Sequence, residues 1–171
     1  MNFLKGAKIV KTQHVDRDDL QYYWQSLYMH DMLRWRFPDI KEPTWTDVQQ
    51  VIGRNGENMY YLVDSTGEIL TEITLELTLG KMALLHFSIR PLLHPRQKLF
   101  LGKFIPWQVL TKWHDDQGKP FVETLLGMTP RSNRAACMFV KKCGFTPIAT
   151  VPAADGEQMM LTYLTRGSFN G

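Results

Sequence analysis

The segment Thr129–Phe145 reads TPRSNRAACMFVKKCGF. A polar turn containing Pro130 leads into a short stretch with helical apolar spacing. Ser132 or Asn133 can cap a helix through its side-chain oxygen. Gly144 can adopt the left-handed conformation that ends one, and Phe145 can fold back on the last turn. Ala135 and Ala136 allow close approach to a sheet. The segment therefore predicts a helix over Ser132–Cys143 with a strand after it. Any well-capped helix before a strand shares these features, so the flanking sequence has to decide the fold.

Upstream, Lys8–Gln13 reads as a short first strand. Asp16 to Asp19 supply an N-cap and an acidic first turn. The helix they start runs over Asp18–Trp35, with Leu20, Trp24, Leu27 and Tyr28 inward, and Phe37-Pro38 closes it. A second helix spans Thr44–Ile52, capped by Thr44 or Thr46 and ended by Asn55-Gly56. Met59–Val63 is a strand, 64–67 a turn, and Glu68–Leu79 a strand whose alternation predicts one buried face. Met82–Ile89 is more continuously apolar and hence central. Pro91–Leu101 reads as a loop and Gly102–His114 as a helix, with Pro106 tolerable only in its first turn. Pro120–Met128 is a strand. Downstream, Phe145–Val151 and Gln158–Leu164 form a hairpin about Asp155-Gly156. The order β-α-α-β-β-β-α-β-α-β-β predicts an α/β fold, with a mixed sheet of six to seven strands and helices on both faces.

The 171 residues suit one domain over 1–171, with 166–171 flexible. Apolar residues at 44% and charged residues at 22% are ordinary for a globular protein, and five Trp, six Tyr and nine Phe predict a well-filled core. The net charge of +3 is spread thinly, without the dense basic stripe of a nucleic-acid binder. No leader is recognisable in MNFLKGAKIVK, and no run of about eighteen apolar residues is present to span a membrane. Cys137 and Cys143 fall on different helix faces and read as reduced thiols of a cytoplasmic protein. His94 and His114 have no third ligand in register, so no metal is expected.

The element order, together with Asn133, Ala136, Gly144 and Phe145, resembles the GNAT superfamily of N-acetyltransferases. Many members show Asn, then Ala three residues on, Tyr seven on, and Gly-Phe eleven and twelve on. The resemblance implies acetyl-CoA in a gap between the fourth and fifth strands. It implies that Phe87, Ser88 and Ile89 pair with the pantetheine arm. Arg96, Gln97, Lys98 and Gly102 would hold the pyrophosphate at a helix start, where unpaired N–H groups carry partial positive charge. Asn133 would contact the cofactor from the last helix. Two positions depart from the pattern. Phe100 replaces a glycine of the phosphate loop, where a side chain obstructs close backbone approach unless it points away. Val140 stands where members often carry the tyrosine that protonates the leaving thiolate, a step for which water or Ser88 is the substitute.

For the base that deprotonates an amine, the candidates are Glu123, then Glu76 and His86. Glu123 lies among Phe121, Val122, Thr124 and Leu125, a setting that predicts partial burial and a raised pKa. Glu72 and Glu76 share a strand face and can simply be solvated, and His86 can equally be a satisfied core histidine. Two functions follow from the resemblance. One is direct acetyl transfer from acetyl-CoA to a primary amine of a small molecule or a protein. The other is a catalytically silent protein of the same fold that binds a protein partner, such as a phage head-assembly factor located in the host cytoplasm or virion. Aromatic residues of the first two helices would then form a substrate cleft or a docking face.

Overall fold

A computed structural model describes residues 4–36, 40, 42–153 and 156–169. The order is β1 (Lys8–Lys11), α1 (Arg17–Met29), α2 (Leu33–Arg36), α3 (Trp45–Asn55), β2 (Met59–Val63), β3 (Ile69–Leu77) and β4 (Met82–Ile89). It continues with α4 (Pro95–Lys112), β5 (Thr124–Pro130), α5 (Arg134–Lys142), β6 (Thr146–Pro152) and β7 (Gln158–Thr165). The seven strands are ordered β1-β2-β3-β4-β5-β7-β6. The sheet is mixed: β1 and β2 run antiparallel, as do β2 and β3, while β4 and β5 run parallel. The last hairpin inserts β7 antiparallel between β5 and β6.

The chain divides into two compact units: Met1–Leu75 with His86–Leu93, and Glu76–Leu85 with His94–Gly171. The core of the first is built from α1, α2, α3, β2 and β3. Leu20, Tyr23, Trp24 and Leu27 of α1 pack with Leu33, Val48, Met59 and Tyr61. Tyr23 meets Trp24 and Tyr61 edge-on, at centroid distances of 5.7 and 6.1 Å. Tyr28, expected inside, is 61% exposed, and Tyr23 takes the inward position.

The first helix is shorter than its sequence pattern. Asp31 adopts φ 54, its N–H donates to the Tyr28 carbonyl and the Met32 N–H to the Leu27 carbonyl. These are the two bonds of a Schellman ending, with aspartate in the place usually taken by glycine. Asp16 caps the helix as expected, accepting from the Asp18 N–H. The Phe37-Pro38 stop lies outside the described residues. Thr44 and Asp47 form a capping box on α3, with the Thr44 N–H donating to the Asp47 carboxylate at 2.7 Å. The hydrogen bond from the Thr44 hydroxyl holds the Asp47 carboxyl below its usual pKa. β3 departs from its alternation: every residue from Ile69 to Leu75 is buried, and exposure begins at Glu76. Both faces of that run are covered, so Glu72 is not solvated but fully buried.

In the second unit, the later part of the expected loop Pro91–Leu101 is helical. His94 starts α4, which runs through the segment to Lys112. Pro106 therefore lies in the helix interior, where it offers no N–H to the Gly102 carbonyl. Gly102 lies against α5: a Cβ there would sit 2.6 Å from Phe139 Cζ and closer still to Cys143 Sγ. Helix α5 follows its sequence at both ends, while Ala135, expected against the sheet, is exposed and Ala136 only half-buried. Asn133 accepts from the Ala136 N–H at 3.0 Å. Gly144 has φ 102, its N–H reaches the Lys141 carbonyl, and the Phe145 N–H reaches that of Val140 at 3.2 Å. β5 begins at Thr124 rather than Pro120, because Glu123 and Thr124 donate their N–H groups to the one carbonyl of Lys81 before the ladder starts. The Asp155 turn position lies outside the described residues. Arg166–Phe169, expected to be flexible, form a 3-10 turn anchored by the Arg166 N–H on the Glu123 carbonyl.

Candidate functional site

The first unit holds its site residues at the end of β4. The Tyr23 hydroxyl accepts from the Glu72 N–H at 3.1 Å and donates to the Ser88 carbonyl. Thr71 Oγ1 donates to the same carbonyl at 2.8 Å. A phenol from α1 is thus a bridge between a β3 N–H and a β4 carbonyl. The side chain of Glu72 is itself buried, its carboxylate accepting from the Thr74 hydroxyl. Just beyond, the Arg90 N–H donates to the Leu70 carbonyl at 2.9 Å. The buried Arg90 guanidinium pairs with Glu68 and lies 5.5 Å from the Tyr22 ring centre. The end of β4 is therefore pinned by backbone, hydroxyl and charge together. His86, Phe87 and Ser88 are half-buried there, and Ile89 is buried. The parallel register of β4 with β5 covers Met82–Leu84 against Thr124–Leu126 and extends no further among the described residues.

In the second unit, Arg96, Gln97 and Lys98 occupy the first turn of α4. Arg96 is exposed and the other two are half-buried. The amides of that turn already have partners. The Arg96 N–H donates to His94 Nδ1 at 3.2 Å, and those of Gln97 and Lys98 to the His94 carbonyl. Gln97 Oε1 completes a capping box by accepting from the His94 N–H at 2.9 Å. An anion at this helix start has to displace the His94 ring from the Arg96 N–H. The expected phosphate loop is corrected accordingly. Phe100 and Gly102 lie on α4, the Phe100 ring stacked on Phe104 at 5.8 Å, so Phe100 fills no loop glycine position. Gly102 is buried in the α4–α5 seam, two turns from the helix start, where its missing Cβ serves packing rather than phosphate. Asn133 stays at the start of α5 with its side-chain oxygen committed to the cap.

The base candidates separate. Glu123 is exposed, not half-buried, because it precedes β5 and only its backbone joins the sheet. The burial of Val122 beside it does not extend to its carboxylate. Glu76 is exposed where the covered run of β3 ends. His86 is half-buried on β4. Pattern reading passed over Tyr23 and the capping role of His94. Tyr23 is signalled by its helical spacing from Leu20 and Leu27, and His94 by the Pro95 that follows it and the Gln97 three positions on.

Both cysteines are free thiols. Burial pushes Cys143 up to about 12, while Cys137 is half-buried with its Sγ 3.4 Å from the Pro130 carbonyl. No group of three or more His, Cys, Asp or Glu side chains is placed to hold a metal among the described residues. No described helix is long and apolar enough to cross a membrane. Each unit has a surface recess. In the first, a cavity of about 330 Å³ is walled by Trp24, Tyr28, Trp45 and Glu42 among others. In the second, an open groove of about 600 Å³ carries Arg131, Arg134 and Lys141 beside Met138 and Ile148.

No family model matches the sequence. No curated protein matches it either. Solved structures do match its fold. The aminoglycoside acetyltransferase AAC(6')-Ib in complex with ribostamycin and coenzyme A superposes with a TM-score of 0.72 at 17% identity, over 97% of each chain. Spermidine N-acetyltransferase from Vibrio cholerae, in complex with CoA and spermine, gives 0.67 at 9% identity, over 97% of this chain and 99% of that one. A GNAT-family acetyltransferase from Bacillus anthracis gives 0.69 at 10% identity, over 96% and 99%. The chain has the GNAT acetyltransferase fold.

Proposed function

We propose that this protein is an acetyl-CoA-dependent N-acetyltransferase acting on a primary amine. The observation that carries the reading is the β4–β5 register, which stops after Leu84 and Leu126 while both strands continue. Parallel strands that part can admit an extended, amide-bearing ligand alongside them. Alternation along β4 assigns those groups. Ser88 and Arg90 direct theirs to β3, through Thr71, Tyr23 and Leu70, so Phe87 and Ile89 present theirs to the opposite edge. Phe87 and Ile89, rather than Ser88, then pair with the pantetheine arm of the cofactor. Arg96 and Lys98 supply charge for its pyrophosphate, and the Arg96 N–H becomes a donor once the His94 ring swings away.

In the reaction the neutral amine nitrogen attacks the thioester carbonyl. A C–N bond forms, the C–S bond breaks, and coenzyme A leaves as the thiolate, which takes a proton from water in the absence of a tyrosine at position 140. The proton that the nitrogen sheds as the C–N bond forms passes to His86, the one candidate base that is partly shielded from solvent. The neighbours bind spermine and aminoglycosides, both amines, which supports an amine acceptor.

Thermal unfolding with acetyl-CoA tests the reading. Ligand at a hundred times its dissociation constant stabilises by about 2.7 kcal/mol. No shift at millimolar acetyl-CoA would overturn it and favour the catalytically silent, protein-binding alternative. Given binding, thiol release with a panel of primary amines reads turnover. His86→Gln should lower kcat by about a hundredfold and Glu123→Gln should leave it unchanged. The reverse result would return the base to Glu123.

A further inference from the structure

We infer that the groove between α5 and β6 is a docking site for an acidic peptide segment with an aliphatic residue between its carboxylates. The groove lies wholly within the second unit and has an open volume of about 600 Å³. One wall is a single face of α5, where Arg134, Met138 and Lys141 recur at spacings of four and three. The other wall is β6, an edge strand of the sheet. A regular strand turns alternate residues to opposite faces, yet Pro147, Ile148, Ala149 and Thr150 all line the groove. A bulge accounts for this. The ladder with β7 slips between Pro147 and Ala149 and leaves Ile148 without a register partner. Such a bulge bends the strand and re-aims a side chain. Ile148 and Met138 are consequently 55% and 59% exposed across the groove from each other. The same bulge, with Pro147 and Pro152, spoils β6 as a template for a further strand, so a partner is held here by side chains.

Charge chooses the occupant. Among the described lining residues stand Arg131, Arg134 and Lys141, and no aspartate or glutamate. All three cations are exposed, and none has an ion-pair partner among the described residues. Arg131 is tethered at one end of the groove, its Nη1 donating to the Thr150 hydroxyl at 3.4 Å. Glu157 reaches the neighbouring Ser132, where its carboxylate accepts from the N–H and the hydroxyl of that residue. Arg134 and Lys141 are two helical turns apart, about 10 Å along the axis. That interval matches about three residues of extended chain. Carboxylates so spaced can pair with both cations while an aliphatic side chain between them meets Met138 and Ile148. Nucleic acid is the poorer complement, because no aromatic ring lines the groove to stack a base and the apolar surface would face phosphate. A second copy, docked about a two-fold axis, would bring the same three cations face to face.

The test is a titration of the intact protein, without acetyl-CoA, with the peptide Glu-Glu-Leu-Glu-Glu blocked at both ends. Gln-Gln-Leu-Gln-Gln removes its charge and Glu-Glu-Ser-Glu-Glu its apolar residue. Backbone amide signals are followed by NMR. The expected result is saturable movement of amides in 134–141 and 147–150, with the glutamine peptide about tenfold weaker and the serine peptide about fivefold weaker. Arg134→Gln, Lys141→Gln and Ile148→Ser, all at exposed positions, should each weaken the acidic peptide about threefold while leaving the remaining spectrum native. Equal binding of the glutamine peptide, an unchanged affinity in the Arg134→Gln, Lys141→Gln double variant, or no saturation would each overturn the assignment. Tighter binding of a thymidine decanucleotide at the same amides would overturn it in favour of nucleic acid. Movement of those amides with protein concentration alone would overturn it in favour of a second copy. The blocked peptide carries no amine and acetyl-CoA is absent, so a failure here leaves the acetyltransferase reading intact, and a failed acetyl-CoA shift leaves this site intact.

Discussion

The two units of the chain are organised around opposite solutions to close contact. In the first, a polar group is brought inside: the Tyr23 hydroxyl bridges the Glu72 N–H and the Ser88 carbonyl. In the second, a side chain is left out: Gly102 has no Cβ, and Phe139 and Cys143 occupy the space. The first contact is specified by hydrogen-bond direction and tolerates no loss of a partner. The second is specified by volume and tolerates no gain. The proposed cofactor edge belongs to the first kind, because a β4 carbonyl that pairs with a side chain is aimed by that side chain.

The largest effect should come from breaking the volume-limited contact. Gly102→Val places a β-branched side chain against Phe139 Cζ at 2.6 Å, and urea denaturation should show a loss of about 3 kcal/mol. Adding Phe139→Ala should recover part of it, since the two sites share one space. Additive losses would mean that the seam is not what Gly102 protects. The direction-limited contact is next. Tyr23→Phe keeps the ring but leaves the buried Glu72 N–H without the hydroxyl, at a cost of about 2 kcal/mol. The same variant should weaken acetyl-CoA binding if the clip aims β4; unchanged affinity would confine Tyr23 to stability.

A pH series sharpens the contrast further. The Cys143 thiol is raised by burial from 9.0 to about 12, so the folded state holds its proton more tightly than the unfolded chain. No effect is expected below about pH 9. Above it stability should fall, by about 1.4 kcal/mol at pH 10, until the folded thiol titrates near 12. The difference between wild type and Cys143→Ala isolates this slope, and parallel curves would show that the thiol is not desolvated. The smallest effect should be Asn133→Ala, about 1 kcal/mol, because the cap contributes one hydrogen bond.

Two helix ends explain how much could be read in advance. Helices α1 and α5 both finish with the Schellman pair of hydrogen bonds. At α5 the left-handed residue is Gly144, whose lack of a Cβ announces the turn, and the helix and the strand after it were legible, with the cap narrowed to Ser132 or Asn133. At α1 it is Asp31, a residue equally at home in a helix surface, and the pattern ran through to Trp35. The same limit hid the start of α4. Two prolines and a cluster of charges in Pro91–Leu101 suggest a loop, while the actual start depends on His94 and Gln97 capping each other. Among the site residues, the β4 trio could be placed on its strand. The exposure of Glu123 could not be predicted, because its apolar neighbours describe the strand and not the direction of its own side chain.

The sequence by itself determined the order of the strands and of the longer helices, the cap of α1, the last hairpin and the resemblance to an acetyltransferase fold. Each of these depends on contacts within a few residues, or on a repeat period that local chemistry imposes. Tertiary structure alone decided that β3 is covered on both faces, that Tyr23 enters the β3–β4 pairing, that Gly102 belongs to a seam, and that three aromatic rings and Glu42 share a cavity. Those depend on residues tens of positions apart meeting at fixed distances. Burial, direction and volume at such meetings are properties of the packed chain, which no local spacing encodes.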